Sequence, residues 1–570
     1  MMRKIFHSRF WLPIVLVLLV LINWAASQWH ARIDLTNEKR FTLSSATKKL
    51  LKKIDAPVTV DVFLKDNLNS GFRQLSSSTN DMLREFKEVA GNKIQYNFIS
   101  PDENVPGTEV KYSDTLPAMG LYPINLTSRV KAGQQQQFVY PFALVHYGDR
   151  TLPVELYKGK TPLINFTELS SAEALLEYRL ADAISKITQK EKQAVGYATG
   201  NGEPEIGRYN TYDLVENVLR PDYNLFTFDL STPKFLPEEF KALIVVKPTT
   251  GFSDDEKLKL DQYVMNGGKL IMFIDRLNAE LDSLQANNEV TAFDRDLKLN
   301  DLLFNYGTRV NADLVMDLQC DFLPFDVNGN GQFELLPWNY FPVIDTKGNH
   351  PINKGLGFIS GRFVNSIDTV EADGIRKTVL LSSSANSRTI GSPAIISGAE
   401  NVNAPEDAKF RKSEIPMAVL LEGKFHSMYA NRLSQEMHDS LDVYHLSFLP
   451  QCISNNRMII VSDGDMVLNN VVKGNPIPMG MNPYTYGTQR EFPYANKDFL
   501  KNCLDYLINE NGLSEAKAKD YTPRLLDPKK TESQKTFWKL TDLLAPVMLI
   551  LLFAGIYQWL RKRKYVKSNE

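Results

Sequence analysis

Hydrophobic and polar positions along this chain change period several times, and each change marks an element. Leu43, Ala46, Leu50 and Leu51 recur at helical spacing before Pro57, after which Val58 to Leu64 alternate as a strand. A helical stretch over Phe72 to Val89 leads to an alternating strand over Lys93 to Ile99, and further strands are predicted at 118–124, 138–147 and 151–156. The run Gln134 to Gln137 reads as a loop or turn. Near Asn165 a new pattern opens: Ser170-x-x-Glu173 has the form of a capping box, and Leu176, Leu180, Ala183 and Ile187 share one helical face. Strand and helix then alternate. Strands are predicted at 194–200, 224–230, 242–246 and 269–275, a helix around 209–219, and another from Ser253-x-x-Glu256 to Val264, stopped by Gly267-Gly268. From about 296 to 450 the pattern is irregular, with many turns and short strands. A buried strand over Arg457 to Ser462 and a helix over Lys497 to Asn509 close the regular part.

A β-α-β start followed by strands predicts a thioredoxin-like α/β domain over residues 30–164. The loop after its first strand reads Asp66-Asn67-Leu68-Asn69 where thioredoxins carry their cysteines, so redox chemistry is absent from that reading. All-apolar strands alternating with amphipathic helices over 165–513 predict a doubly wound parallel sheet, with an irregular β-rich insertion at about 296–450.

The ends are different. Phe10 to Ala26 carries no charge and follows Arg3, Lys4 and Arg9; Leu543 to Leu560 carries none and runs into Arg561, Lys562, Arg563 and Lys564. Each approaches the roughly 20 apolar residues that cross a bilayer and has a tryptophan near an end. The first can be read as an uncleaved anchor or as a signal peptide cut near Ala25-Ala26-Ser27; its length favours the anchor. Basic outer flanks put both termini in the cytoplasm and the bulk of the chain across a bacterial inner membrane, although Arg32, Lys39 and Arg40 blur the asymmetry. The predicted division is a cytoplasmic tip and first helix at 1–29, the two α/β domains, a linker at 514–539, a second helix at 540–560 and a basic tail at 561–570.

Composition narrows the function. The chain has 570 residues, 65 Lys+Arg against 67 Asp+Glu, and a formal net charge of −2. That balance gives no field to recruit nucleic acid, and a mean hydropathy of −0.26 excludes a polytopic membrane protein. Cys320, Cys452 and Cys503 form no metal-spaced cluster and read as buried free thiols.

Motif fragments are incomplete. Tyr157-Lys158-Gly159-Lys160-Thr161 ends like a phosphate loop, but Val154 stands where that loop needs glycine. Gly200-Asn201-Gly202-Glu203 follows a strand at a ligand-binding edge; a structural turn is the favoured reading, because Glu203 would repel an anion. Asp326-x-Asn328-x-Asn330-Gly331 begins like a calcium loop but reaches Pro337 where a bidentate carboxylate is required, so a turn is expected. Asp463 and Asp465 end a predicted strand, where Asp465 is expected to cap a helix.

DLTNEKRFTLS, PVTVDVFL, SSAEALLEYRLADAISKIT, YVMNGGKLIMFID and the closing FWKLTDLLAPVMLILLFAGIYQWLRKRKY together resemble the GldG family, gliding-motility-associated ABC-transporter auxiliary proteins of Bacteroidetes-type bacteria. The resemblance implies a membrane-anchored, substrate-binding-like subunit working with a permease and a separate cytoplasmic ATPase, linked to gliding and envelope transport. The middle domain is also similar to class I glutamine amidotransferases and to a non-enzymatic domain of intraflagellar-transport proteins. At the position of the amidotransferase nucleophile elbow stands Ile274-Asp275-Arg276-Leu277, so Asp275 replaces the thiol and Leu277 the glycine. A pseudoenzyme used for binding is expected, with no catalytic residue, cofactor or metal.

Two rival functions follow from other features. One is a periplasmic amidase or hydrolase using Asp275, Asp463 or Asp465, favoured if these sit in a closed pocket with raised pKa. The other is a scaffold of an envelope motility or secretion machine, meeting an unknown periplasmic partner. A ligand-sized cleft between the two α/β units would favour transport; a broad apolar patch would favour scaffolding.

Overall fold

The computed structural model describes residues 42–66, 68–130, 133–158, 166–287, 289–326, 330–346, 348, 350–397, 407–509, 512–517 and 533–566, together with Val17, Val20 and Leu21. Those three are helical and exposed; the rest of the predicted N-terminal span, and most of the predicted 514–539 linker, lie outside the described residues. The chain forms two compact units, 1–520 and 521–570.

The larger unit is mixed α/β, built on two principal sheets. In the first, β1 (Val58–Val62), β2 (Ile94–Phe98), β3 (Phe142–Tyr147) and β4 (Arg150–Glu155) lie in the order β2-β1-β3-β4. β1 runs parallel to β2 and antiparallel to β3, and β3 and β4 form a hairpin. Val58, Val60 and Val62 point to one face, where α1 (Ser45–Lys53) and α2 (Ser70–Ala90) pack. Asn69 caps α2, its Oδ1 accepting the Phe72 N–H at 2.9 Å. The same core takes Leu176, Leu180, Ala183 and Ile187 of α3 (Phe166–Thr188) and then Leu513. The periodicity named the buried face of α3, and that face lies on the first sheet.

In the second sheet β5 (Ala194–Thr199), β6 (Asn224–Asp229), β7 (Phe240–Val246) and β8 (Lys269–Phe273) are joined by β9 (Ile375–Ser382), β10 (Pro416–Gly423) and β11 (Asn456–Val461) in the order β9-β10-β11-β8-β7-β5-β6. The five strands from β6 to β11 are mutually parallel; β10 and β9 extend the sheet antiparallel. Along β7, Ala242, Ile244 and Val246 enter one core and Leu243 and Val245 the other, so both faces are covered and the strand is apolar from Ala242 onward. One cover is α5 (Asn496–Ile508), through Phe499, Leu500, Cys503 and Leu504. The other includes α4 (Asp254–Met265), opened by a complete Ser253/Glu256 capping box.

Four local expectations are corrected. Gln134 to Gln137 pair as a strand with Leu126 to Arg129, because a ladder needs only backbone groups. The expected strand at 118–124 gives way to a helix over Tyr112–Ala118, and strand begins at Ile124. Ser170 and Glu173 lie inside α3, so their spacing is not a cap. The helix expected around 209–219 is a 3-10 turn over Tyr209–Thr211 followed by a π-helix over Asp213–Leu219.

The smaller unit is described by itself. α6 (Lys535–Val566) has 32 residues, hence a length of about 48 Å at 1.5 Å per residue, against about 30 Å of bilayer hydrocarbon. Leu543, Leu549, Leu551 and Phe553 are all exposed on it. Such a continuous apolar surface is untenable in water, and the helix is of a kind that associates with a membrane.

Candidate functional site

Register brings the sequence-selected carboxylates together. Val246, Phe273 and Val461 stand level across β7, β8 and β11. The next residues therefore leave the sheet side by side: Lys247 directly after β7, Asp275 two residues after β8, Asp463 two residues after β11. Lys247 Nζ lies 2.7 Å from Asp465 Oδ1, 3.0 Å from Glu280 Oε2 and 3.5 Å from Asp275 Oδ2. Arg295 closes the far side at 2.5 Å from Glu280 Oε1. Sequence reasoning missed Lys247, Glu280 and Arg295.

This cluster is closed rather than poised. Asp463 is fully buried; its Oδ2 accepts the Arg362 N–H at 2.8 Å and its Oδ1 the Met466 N–H at 3.0 Å. Asp465 caps no helix: it is the first residue of a 3-10 turn over Asp465–Val467, with Gly464 at the cap position, and its carboxylate pairs with Lys247. Asp275 Oδ1 accepts the Gly464 N–H. Burial, then Asp275 and Asp465, push the Asp463 carboxyl well above the usual range. Burial also raises Asp275, which Lys247 pulls back and Asp465 pushes further. Raised carboxyls alone would suit an acid catalyst; here Asp463 and Asp275 are buried and accept backbone N–H groups, and Asp275 also faces Lys247. Together with Lys247 they join three strand ends.

Backbone geometry shows the tension of that arrangement. Lys247 is held at φ 46°, in the left-handed region that side-chain-bearing residues avoid. Gly464 passes so close that a Cβ there would sit 2.7 Å from Lys247 Cβ and 3.0 Å from its Cα. Gly464→Ala should therefore lower the melting midpoint of the chain, by the equivalent of about 1–3 kcal/mol; scanning calorimetry of wild type and variant in the same detergent checks it.

Gly200-Asn201-Gly202-Glu203 forms a tightly held turn in which Asn201 Oδ1 and Glu203 Oε1 are buried without a hydrogen-bond partner among the described residues. The Asn201 carbonyl accepts the Thr249 and Thr250 N–H groups at 2.8 and 3.0 Å, and Glu203 Oε2 accepts the Asn201 N–H at 2.8 Å. Gly202, at φ 82°, leaves no room for a Cβ beside Thr249. Burial lifts Glu203 to about 7. Asp326 accepts the Asn330 and Gly331 N–H groups. Asn67, Gly159, Lys160, Thr161 and Asn328 lie outside the described residues. Cys452 and Cys503 are buried free thiols, and Cys320 is a half-buried one.

A second constellation lies where α3 of the first sheet faces α5 of the second, around a cavity of about 370 Å³. Lys186 on α3 reaches Asp182 at 3.1 Å, Asp222 at 3.0 Å and Asp505 at 3.2 Å, so one lysine gathers carboxylates from both sides. Burial opposes the charge of Lys186, but Asp182, Asp505 and Asp222 together raise its pKa well above the ordinary value. Lys158 pairs with Asp498 across the same junction. After α5 the chain returns to the first core at Leu513, which carries Lys517 over the Tyr178 ring at 4.9 Å. Residues far apart in sequence thus line a space of small-ligand size.

The fold defines a mixed α/β protein with a membrane-associating helix and a charged cleft between its two sheets. Residues 192–503 match the family model described as ABC-type uncharacterized transport system, over half of the chain, and the chain belongs to that ABC-transporter auxiliary family. Residues 37–146 match a domain of unknown function. An uncharacterized protein of Borreliella burgdorferi is 19% identical over 97% of this chain and 98% of its own length. Among solved structures, the mmIFT52 N-terminal domain is 14% identical with a TM-score of 0.30, over 55% of this chain and 97% of that one. Exo-beta-1,4-mannosidase Op5Man5 from Opitutaceae bacterium strain TAV5 is 9% identical with a TM-score of 0.15, over 61% of this chain and 48% of that one.

Proposed function

We propose that this chain is a non-catalytic, membrane-anchored auxiliary subunit that presents a ligand to the permease of an ABC transporter, with ATP hydrolysed on a separate cytoplasmic chain. The observation that carries the reading is the cleft of about 370 Å³ between the two α/β lobes, the feature that distinguishes a carrier of ligands from a scaffold. Family membership supports the permease and ATPase as partners. The finer parts belong to the same proposal: a place in the GldG branch with its gliding link, a second anchor at the N-terminus, both termini in the cytoplasm and the lobes outside the inner membrane. The order β2-β1-β3-β4 supports a thioredoxin-like first lobe, and the parallel strands from β6 to β11 support an amidotransferase-like second one.

Purification of the tagged full-length chain from native membranes in mild detergent should recover a multi-span permease and an ATPase, identified by mass spectrometry. Recovery of envelope or motility proteins without an ATPase would overturn the transporter reading in favour of the scaffold.

A further inference from the structure

The cleft between the lobes has seven basic and five acidic residues on its walls. The acidic ones are largely committed: Asp182, Asp222 and Asp505 converge on Lys186, and Asp498 holds Lys158. Of the five other basic residues, Arg179 donates to the Glu155 carbonyl and Lys354 has a partner of its own, which leaves Lys497, Lys501 and Lys517. Among the described residues no carboxylate lies within ion-pair distance of any of the three. Lys517 is only 5% exposed and touches the Tyr178 ring in place of an anion. Lys497 and Lys501 stand four residues apart on α5, a spacing at which like charges repel.

We propose that this cleft is an anion site, in which Lys497, Lys501 and Lys517 together hold the carboxylate or phosphate group of a small ligand. Each ammonium brings three rotatable donors to a compact charge, the arrangement that grips an oxyanion without demanding one fixed geometry. An unpaired ammonium inside a protein is expensive, and a bound anion removes that expense. The electrostatics agree: burial lowers Lys517 to about 8 against the pull of Asp505, Asp182 and Asp498, and burial, aided by Lys186 and Lys497, lowers Lys501 against Asp222 and Asp498. At about 370 Å³ the cavity lies at the lower end of the range of about 300–1,000 Å³ for small-molecule sites, so it admits a small organic acid or phosphate ester.

The inference rests on the transporter reading only for the ligand's role. Its test is titration of the full-length chain in detergent with sodium phosphate and with sodium succinate, against sodium chloride at matched ionic strength, followed by calorimetry and melting midpoint. Saturable binding of one anion, weakened about tenfold or more in Lys501→Gln and in Lys517→Met and unchanged in Lys234→Gln on the exposed surface, is the expected result. The arm that saturates tells phosphate from carboxylate chemistry. Shifts no larger than those of chloride in the wild-type chain, which needs no variant to fold, would overturn the proposal, as would binding indifferent to both substitutions. Co-purification of permease and ATPase with no anion binding sinks this inference alone; anion binding without those partners sinks the transporter reading alone.

Discussion

Lys247→Met should destabilise the full-length chain by about 3–5 kcal/mol, the cost of stripping the cation from a buried carboxylate cluster. Methionine keeps the apolar stem and removes only the charge that Asp275, Glu280 and Asp465 share. Asp463, fully buried beside them, would feel the loss through Asp275 and Asp465. The sign with pH follows from the carboxyls. Asp275 and Asp463 have folded pKa values raised above the unfolded value of about 3.9, so their contribution favours the fold at low pH and is lost as pH rises through the folded values. Without Lys247 the Asp275 value rises further, and the gap between wild type and variant should be wider at pH 8 than at pH 5. Asp275→Asn added to Lys247→Met should recover part of the loss, since the two residues share one network. Calorimetric midpoints at both pH values check all three statements. A variant gap independent of pH would mean that packing, not charge, holds the three strand ends.

What could be read from the sequence was what repeats locally. The apolar runs of β5, β7, β8 and β11 and the Ser253/Glu256 box stand where their patterns put them, because strand burial and capping are short-range signals. The same capping spacing at Ser170 and Glu173 misled, since α3 begins at Phe166 and the pattern carries no information about the preceding turn. β9 and β10 lie in the stretch read as irregular; their partners are each other and β11, and antiparallel extension of a parallel sheet has no sequence period of its own. The candidate sites were less legible. Asp275, Asp463 and Asp465 were singled out one by one, but Lys247 bonds Asp465 across 218 positions and no local pattern could announce it. The cleft was hidden for a similar reason: Lys497 and Lys501 look like a solvated helix face until α3 and the returning Lys517 segment are set against them.

The junction between the lobes gives the second large effect. Lys186→Met should leave Asp182, Asp222 and Asp505 facing one another without the lysine they share, at a cost of about 2–5 kcal/mol. Lys186 keeps 21% of its side chain exposed, so solvent softens the penalty relative to Lys247. The consequence differs in kind as well as size. Lys247 ties strands of one sheet, whereas Lys186 reaches from a helix packed on the first sheet to Asp222 and Asp505 in the second lobe. Its removal should loosen the junction before either core, because the cores are built from apolar residues that the substitution does not touch. Hydrogen exchange of the full-length variant should therefore show faster exchange in α3, α5 and the 513–517 segment, with β7 and β8 as protected as in wild type. Uniform deprotection of both lobes would mean that the junction and the cores unfold as one unit, and the cleft could not then open for a ligand without unfolding the protein. Protection unchanged everywhere would mean that apolar contact alone joins the lobes, leaving the ion cluster free to respond to whatever enters the cleft.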